Sequence, residues 1–252
     1  MARAAVLGRL TWQVGTVAEI REETATARTI TVDIHGWPGH AAGQHVDVRL
    51  TAEDGYSAQR SYSIASAPGR DRLELTVQRL VDGEVSSYLT DVLMPGYPLE
   101  LRGPIGGWFV WDPDARGSVL LVAGGSGVVP LMSMIRARAE IGSRTPFRLV
   151  YSVRSPETVL YAAELAERSQ AGDGLEVSYV YTRSGPPGAQ VRVGRLTPVA
   201  LAAPGWTRKD APAVFICGPT GFVEAAASLL VKAGHDPSVI KTERFGPSGG
   251  QA

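Results

Sequence analysis

The chain has 252 residues, 25 Lys and Arg against 25 Asp and Glu, and a hydrophobic content of 44%. That length holds two medium domains or one large one, and the balanced charge leaves no global field to attract nucleic acid or an anionic membrane. The single cysteine, Cys217, excludes an internal disulfide, a cysteine-ligated iron–sulfur cluster and a structural zinc site, and favours a reducing, cytoplasmic compartment.

Met1 to Arg9 breaks off before a signal-peptide apolar core is complete. No stretch reaches transmembrane length without a charge or a Gly or Pro, so a soluble protein is expected. Short β-branched or alternating runs then follow at Trp12 to Ile20, Thr29 to Ile34, His45 to Leu50, Ser61 to Ala65 and Leu73 to Leu80. Turn clusters such as Gly36-Trp37-Pro38-Gly39 and Glu53-Asp54-Gly55 separate them. Many short strands with Gly and Pro turns predict a closed antiparallel β-barrel. One helix, Ser86 to Val92, interrupts it.

The character changes at Trp111-Asp112-Pro113-Asp114-Ala115-Arg116-Gly117, a polar joint that divides expected domains at residues 1–112 and 113–252. Beyond it, Ser118 to Ala123, Phe147 to Val153, Leu175 to Tyr181 and Ala213 to Cys217 read as strands. Val129 to Ala139, with Pro130 at its start, Thr158 to Arg168 and Phe222 to Ala233 read as helices. This alternation predicts an α/β domain with a parallel sheet covered on both faces. Gly246-Pro247-Ser248-Gly249-Gly250 reads as a frayed end or a linker stump.

Within Arg60-Ser61-Tyr62-Ser63-Ile64, alternation puts Arg60, Tyr62 and Ile64 on one strand face and Ser61 and Ser63 on the other. A guanidinium can hold a pyrophosphate through paired hydrogen bonds, a Tyr ring can cover a planar heterocycle, and a Ser hydroxyl can bond a ring nitrogen. An ordinary barrel strand fits the same residues. Gly83-Glu84-Val85-Ser86-Ser87-Tyr88-Leu89 adds a Gly turn and hydroxyls at a helix start, where free amides and the helix dipole favour phosphate. Plain N-capping by Ser86 or Ser87 has the same geometry.

With these segments the chain resembles the ferredoxin–NADP reductase family, specifically the reductase modules of oxygenase electron-transfer chains without the 2Fe–2S ferredoxin domain. The resemblance runs from about Trp12 to Gly246 and includes Gly103-Pro104-Ile105-Gly106-Gly107-Trp108-Phe109, the glycine-rich segment ending the barrel. It implies a ferredoxin reductase-like pair of domains and a noncovalent flavin, FAD more often than FMN. Arg60 would lie on the pyrophosphate, Tyr62 on the isoalloxazine and Ser63 near flavin N5. Ser61, Gly83, Val85, Ser86 and Ser87 complete that expected site.

Val122-Ala123-Gly124-Gly125-Ser126-Gly127-Val128-Val129-Pro130 follows a strand and opens a helix. Glycines there let the backbone approach a pyrophosphate, although the spacing is not G-x-G-x-x-G and a generic turn has the same composition. The resemblance assigns Gly124, Gly125, Ser126 and Gly127 to NADPH or NADH. The following strand tips, Tyr151-Ser152-Val153-Arg154-Ser155 and Tyr181-Thr182-Arg183-Ser184, offer cations and hydroxyls and no acid. Arg154, Thr182 and Arg183 therefore favour a 2′-phosphate, hence NADPH, though strand-end arginines are commonplace and NADH-using relatives also carry the first.

Cys217, Gly218 and Pro219 end an apolar strand, where ligands bind in parallel sheets, although a lone buried cysteine is often inert core. The resemblance places Cys217 beside the nicotinamide C4, shaping the pocket. Glu243 and Phe245 match the family's C-terminal Glu near the reacting atoms and the aromatic residue that stacks on the flavin. A terminal strand with a surface Glu and a core Phe is the plainer alternative, and Phe stands where many relatives have Tyr or Trp. Ser63, Cys217 and Glu243 are thus the expected catalytic set, with hydride passing from nicotinamide C4 to flavin N5 and Ser63 and Glu243 managing the N5 proton. His35, His40, His45 and His235 fall on loops or strand edges and are expected to face solvent, and no metal site is expected.

Three functions stay open. The first is an FAD-dependent NAD(P)H oxidoreductase, a monomer, passing electrons to a separate ferredoxin or iron–sulfur oxygenase component. The second is a flavin reductase acting on free flavin or small acceptors. The third, a non-catalytic flavin-binding regulatory module, sits poorly with an intact Ser63, Cys217 and Glu243 set. Relatives often carry a fused ferredoxin domain with four cysteines. The sequence has 1 Cys, so the next carrier is expected to be another polypeptide, or the tail marks where a fused domain was lost.

Overall fold

A computed structural model describes residues 10–69, 71–203 and 205–246. Six antiparallel strands form the first sheet: β1 (Trp12–Thr24), β2 (Ala27–Asp33), β3 (His45–Thr51), β4 (Ser57–Ser63), β5 (Arg72–Gln78) and β6 (Pro98–Ile105), in the order β4-β3-β6-β1-β2-β5. Alternating apolar residues such as Ile30, Val32, Val46, Val48, Leu73, Leu75, Leu99 and Leu101 fill its interior. An Ile64–Leu75 bridge and the Ala65 N–H bond to the Glu74 carbonyl, 2.7 Å, join the two edges and close the barrel.

Two barrel elements differ from the expectation for physical reasons. β1 continues past Ile20 through Arg21-Glu22-Glu23-Thr24, because cross-strand pairing with β2 carries a polar segment that has no hydrophobic period. The helix begins at Glu84: α1 (Glu84–Ser87) runs into one π-helical turn, Tyr88–Val92, and Gly83 is its N-cap with no side-chain cap bond. Neither Ser86 nor Ser87 caps it.

The second sheet is parallel: β7 (Val119–Gly124), β8 (Phe147–Val153), β9 (Leu175–Tyr181), β10 (Ala213–Pro219) and β11 (Ile240–Phe245), in the order β11-β10-β7-β8-β9. Every residue of β7 and β8 is buried, as strands covered on both faces require. α2 (Val128–Glu140) and α3 (Ala162–Gln170) cover one face, over Leu121, Ala123, Leu149 and Cys217. α4 (Pro198–Leu201) and α5 (Thr220–Lys232) cover the other, over Leu120, Val122, Val214 and Ile216. α3 starts four residues later than the sequence predicts. A short turn at Pro156–Thr158 precedes it, locked by reciprocal Ser155 and Thr158 bonds, and Tyr161 takes a left-handed φ of 57°.

Strand order reverses between β7 and β10, so their carboxyl ends flank the crevice where parallel sheets bind ligands. The α2 face is continuous with Ala42, Ala65, Phe109 and Trp111, so one apolar layer joins the sheet to the barrel. Among the described residues no helix is long and apolar enough to cross a membrane. The expected frayed segment lies, from residue 247 on, outside the described residues.

Candidate functional site

A cleft of about 410 Å³ lies between the barrel and the carboxyl end of β11, lined by His45, Ser61, Ser63, Trp108, Glu243 and Phe245 among others. Parallel pairing sets Cys217 beside Glu243 and Pro219 beside Phe245. Ser63, at the end of β4, reaches Glu243 from the barrel side. Ser63, Cys217 and Glu243 therefore meet, although they come from three strands and both sheets.

Burial pushes the Glu243 carboxyl up to about 7, with the Ser63 hydroxyl opposing the shift. Cys217 is 1% exposed, and burial together with the Glu243 carboxyl holds its thiol well above the ordinary range. It is a neutral thiol at physiological pH, suited to forming a wall rather than to attack.

Ser61 is committed to the barrel wall. Its hydroxyl donates to Asp47 at 2.7 Å, and Arg102 donates to the same carboxylate at 2.6 Å. Burial opposes ionisation of Asp47, but these two donors outweigh it and its carboxyl lies below the usual range. Arg60 is exposed and has no acidic partner among the described residues. Tyr62 packs on the barrel core, and burial raises its phenol to about 12.

The segment from Gly83 to Ser87 divides by role. A Cβ on Gly83 would stand 2.3 Å from the Ser86 Oγ and 2.9 Å from the Leu80 Cβ, so a side chain there would require the turn to shift. The Ser86 hydroxyl is used within the turn, accepting from the Leu80 N–H and donating to the Gly83 carbonyl, each at 3.1 Å. Val85 is barrel core. The amides of the first turn have no partner inside the helix.

Gly124 to Gly127 lies directly on the second strand of the crevice. A Cβ on Gly127 would stand 2.1 Å from the Cys217 carbonyl oxygen, and one on Gly124 would stand 2.6 Å from the Phe222 ring. Gly125, at φ +54°, has open space around it. The outer surface of the loop is thus backbone and the Ser126 side chain. Phe222, which no sequence motif singled out, is the platform that fixes the close approach of Gly124 and Gly218.

At the tips of β8 and β9, the Thr182 N–H and hydroxyl both donate to the Val153 carbonyl, at 2.8 and 3.2 Å, and the Arg183 N–H donates to the Arg154 carbonyl at 2.9 Å. Arg154 and Arg183 are exposed with no acidic partner among the described residues. The tips themselves carry no acid; Glu157, in the turn after β8, contributes after burial to raising the Tyr181 phenol. The histidine expectation is corrected. Only His35 is exposed; His40 and His45 are half-buried, with burial lowering both imidazoles, and His235 is buried. His45, at the start of β3, and the 63%-exposed Trp108, in the Gly-rich turn after β6, line the cleft although the sequence assigned neither a site role, because a lone residue at a strand end or in a turn carries no periodic signal. No group of three His, Cys, Asp or Glu among the described residues is arranged to hold a metal.

Residues 15–110 match the oxidoreductase FAD-binding domain family, and residues 121–228 the oxidoreductase NAD-binding domain family. A ferredoxin–NADP reductase B from Sorangium cellulosum is 36% identical over 195 residues, 75% of this chain and 78% of that protein. The chain belongs to the ferredoxin–NADP reductase family. The glycine betaine monooxygenase reductase subunit of Pseudomonas aeruginosa is 32% identical over 82% of this chain and 56% of its own length. The chain spans about half the length of the first such curated relatives. Among solved structures, the Amycolatopsis cytochrome P450 reductase superposes with a TM-score of 0.81 at 26% identity, over 94% of this chain and 71% of that one. A Neisseria gonorrhoeae ferredoxin NADP+ reductase with bound FAD and NADP gives 0.77 at 22%, over 92% and 98%, and shares the fold.

The donor set suits the two cofactors of this family. A guanidinium with no acidic partner among the described residues, donating only to the Gln59 carbonyl at 2.6 Å, stands on β4, a strand that touches α1, and the glycine loop keeps its outer surface free of side chains apart from Ser126. FAD and a nicotinamide nucleotide are therefore the cofactors these two domains accommodate.

Proposed function

We propose that this chain is a reductase that takes electrons from NADPH, or NADH, and passes them through FAD to a separate ferredoxin or iron–sulfur oxygenase component. The meeting of Ser63 with Cys217 and Glu243 across the two sheets carries this reading. A bound flavin supplies the exchange between a two-electron donor and a one-electron acceptor. Arg60, with Ser87 and the first-turn amides of α1, holds the pyrophosphate of the flavin, and Tyr62 and Phe245 confine its ring system. Gly124 to Gly127 hold the pyrophosphate of the coenzyme, and Gly218 and Pro219 let the nicotinamide approach.

Cys217 then walls the nicotinamide pocket as an uncharged thiol. Glu243, titrating near neutrality, holds or releases a proton beside the reacting atoms, and the Ser63 hydroxyl passes it on. The remaining work of the chain is alignment and exclusion of water. Arg183 and Arg154 hold the 2′-phosphate of NADPH. The domain boundary falls at 112/113, in the polar joint, and the protein works as a cytoplasmic monomer. One buried cysteine and a balanced charge support that setting.

Purification tests the whole reading. The expected protein is yellow, keeps its flavin through gel filtration, bleaches under anaerobic NADPH and then reduces an added 2Fe–2S ferredoxin. Colourless protein that turns over only with added flavin would mark a flavin reductase, and yellow protein inert to both coenzymes a regulatory module. In rapid mixing, Arg183→Ala should slow flavin reduction by NADPH roughly tenfold or more while sparing NADH, since one charge-assisted contact is worth about 1.5–3 kcal/mol. Equal losses with both coenzymes would remove the 2′-phosphate assignment.

A further inference from the structure

Away from the cleft, α2 and α3 hold the barrel through a buried polar network that the reaction does not use. Arg136 on α2 is 9% exposed and bonds Glu164 of α3 through two nitrogens, at 3.0 and 2.6 Å. Its third nitrogen donates across the domain boundary, to Glu74 of β5 at 2.8 Å and to the Ala65 carbonyl at 3.0 Å. One turn earlier, the Ser133 hydroxyl donates to the Ser66 carbonyl at 2.7 Å. The helix that begins at the glycine loop thus grips the peptide that follows Ser63.

The guanidinium of Arg136 lies 5.1 Å from the ring centre of Tyr161, the residue whose left-handed backbone starts α3. The Tyr161 hydroxyl donates to Thr76 of the barrel at 2.5 Å, Thr76 and Thr29 share a bond of 2.7 Å, and Thr29 donates to Glu23 at 2.7 Å. Glu23 in turn accepts the Tyr161 N–H at 3.1 Å. With each hydroxyl donating onward, every proton in this ring has one acceptor, and the circuit crosses the domain boundary twice. A buried, satisfied network of this kind favours one arrangement, because any shift leaves a charge or a hydroxyl unpaired.

We propose that Arg136 and Tyr161 are positioning residues, which lock the two domains at the separation where Ser63 meets Cys217 and Glu243 without touching either ligand. The proposal rests on the reading above, in that the aligned groups serve a flavin and a nicotinamide. It predicts that the two domains unfold together, where an interface of ordinary domain type would let them part.

Two variants test it. Arg136→Met with Glu74→Gln and Glu164→Gln removes the charge of Arg136 with those of its two acidic partners, and Tyr161→Phe removes a single hydroxyl. Arg168, which also pairs with Glu164 at 2.8 Å, is 30% exposed and can turn to solvent. Calorimetry of the flavin-free protein should show one transition for the parent chain and two for the triple variant, with the Ala65 and Ser66 segment exchanging amide hydrogens faster in both variants. In the flavin-loaded protein, kcat should fall roughly 10- to 100-fold in the triple variant while KM for NADPH moves less than about twofold. The long-wavelength absorbance of stacked nicotinamide and flavin rings should fall with kcat. A single transition with unchanged exchange in both variants would overturn the proposal, as would KM rising in step with the loss of kcat. If the parent chain reacts with neither coenzyme, the functional reading fails, and calorimetry and exchange still decide the lock.

Discussion

Glu243 owes its chemistry to its neighbours rather than to its own sequence. Set beside Cys217 and largely buried between the two sheets, it keeps its proton to about pH 7, whereas an unfolded chain releases it near 4.5. Between those values the folded state binds more protons, so the contribution of Glu243 to stability falls as pH rises through that window. Glu243→Gln should remove this slope. Relative to the parent, the flavin-free variant should gain on the order of 1–3 kcal/mol at pH 8 and nothing at pH 4, read by urea unfolding. Parallel pH profiles for the two proteins would show that Glu243 is not a buried acid.

The loop between β7 and α2 works by contact with β10, and its glycines are therefore unequal. At Gly127 an added methyl meets the Cys217 backbone at 2.1 Å, so Gly127→Ala should force β7 and β10 apart, cost about 1–3 kcal/mol and weaken dinucleotide binding by roughly tenfold or more. Gly125→Ala meets only open space at a left-handed φ and should cost about 1–2 kcal/mol with little change in binding. Calorimetric titration with NADP⁺ would separate them, and equal losses would mean that loop flexibility, not close approach, is what the glycines supply. This is also where sequence reading succeeds and fails. Arg60 to Ser63, Gly124 to Gly127 and Cys217 to Pro219 were legible as strand ends, because an alternating or apolar run stops there at a serine, a glycine loop or a Gly-Pro turn. The Tyr161 break, the polar end of β1, and β6 with its outward Glu100 and Arg102 were not, because partners far along the chain decide them. At Ser86 and Ser61, both in the expected motif, the structure adds what the sequence does not show: their hydroxyls bond within the turn and to Asp47.

As a whole the molecule is two sheets sharing one apolar layer, with a single cysteine that is buried in the site itself. No further set of metal-binding side chains is assembled among the described residues. The flavin-loaded chain should accordingly take up two electrons in an anaerobic dithionite titration and contain no iron. Uptake of additional electrons would reveal a second redox centre and overturn the view that the chain must hand electrons on.

β11 sits at the edge of the second sheet and supplies Glu243 and Phe245 by pairing only with β10. Synthesis runs in the opposite sense to the importance of these residues. Barrel, glycine loop and Cys217 all leave the ribosome before β11, and a nascent chain at that stage displays the apolar edge of β10 with half a crevice beside it. Docking of β11 covers that edge and supplies the acid in one event. The last strand to be made thus brings the carboxyl of Glu243 beside Cys217 only when the sheet is complete.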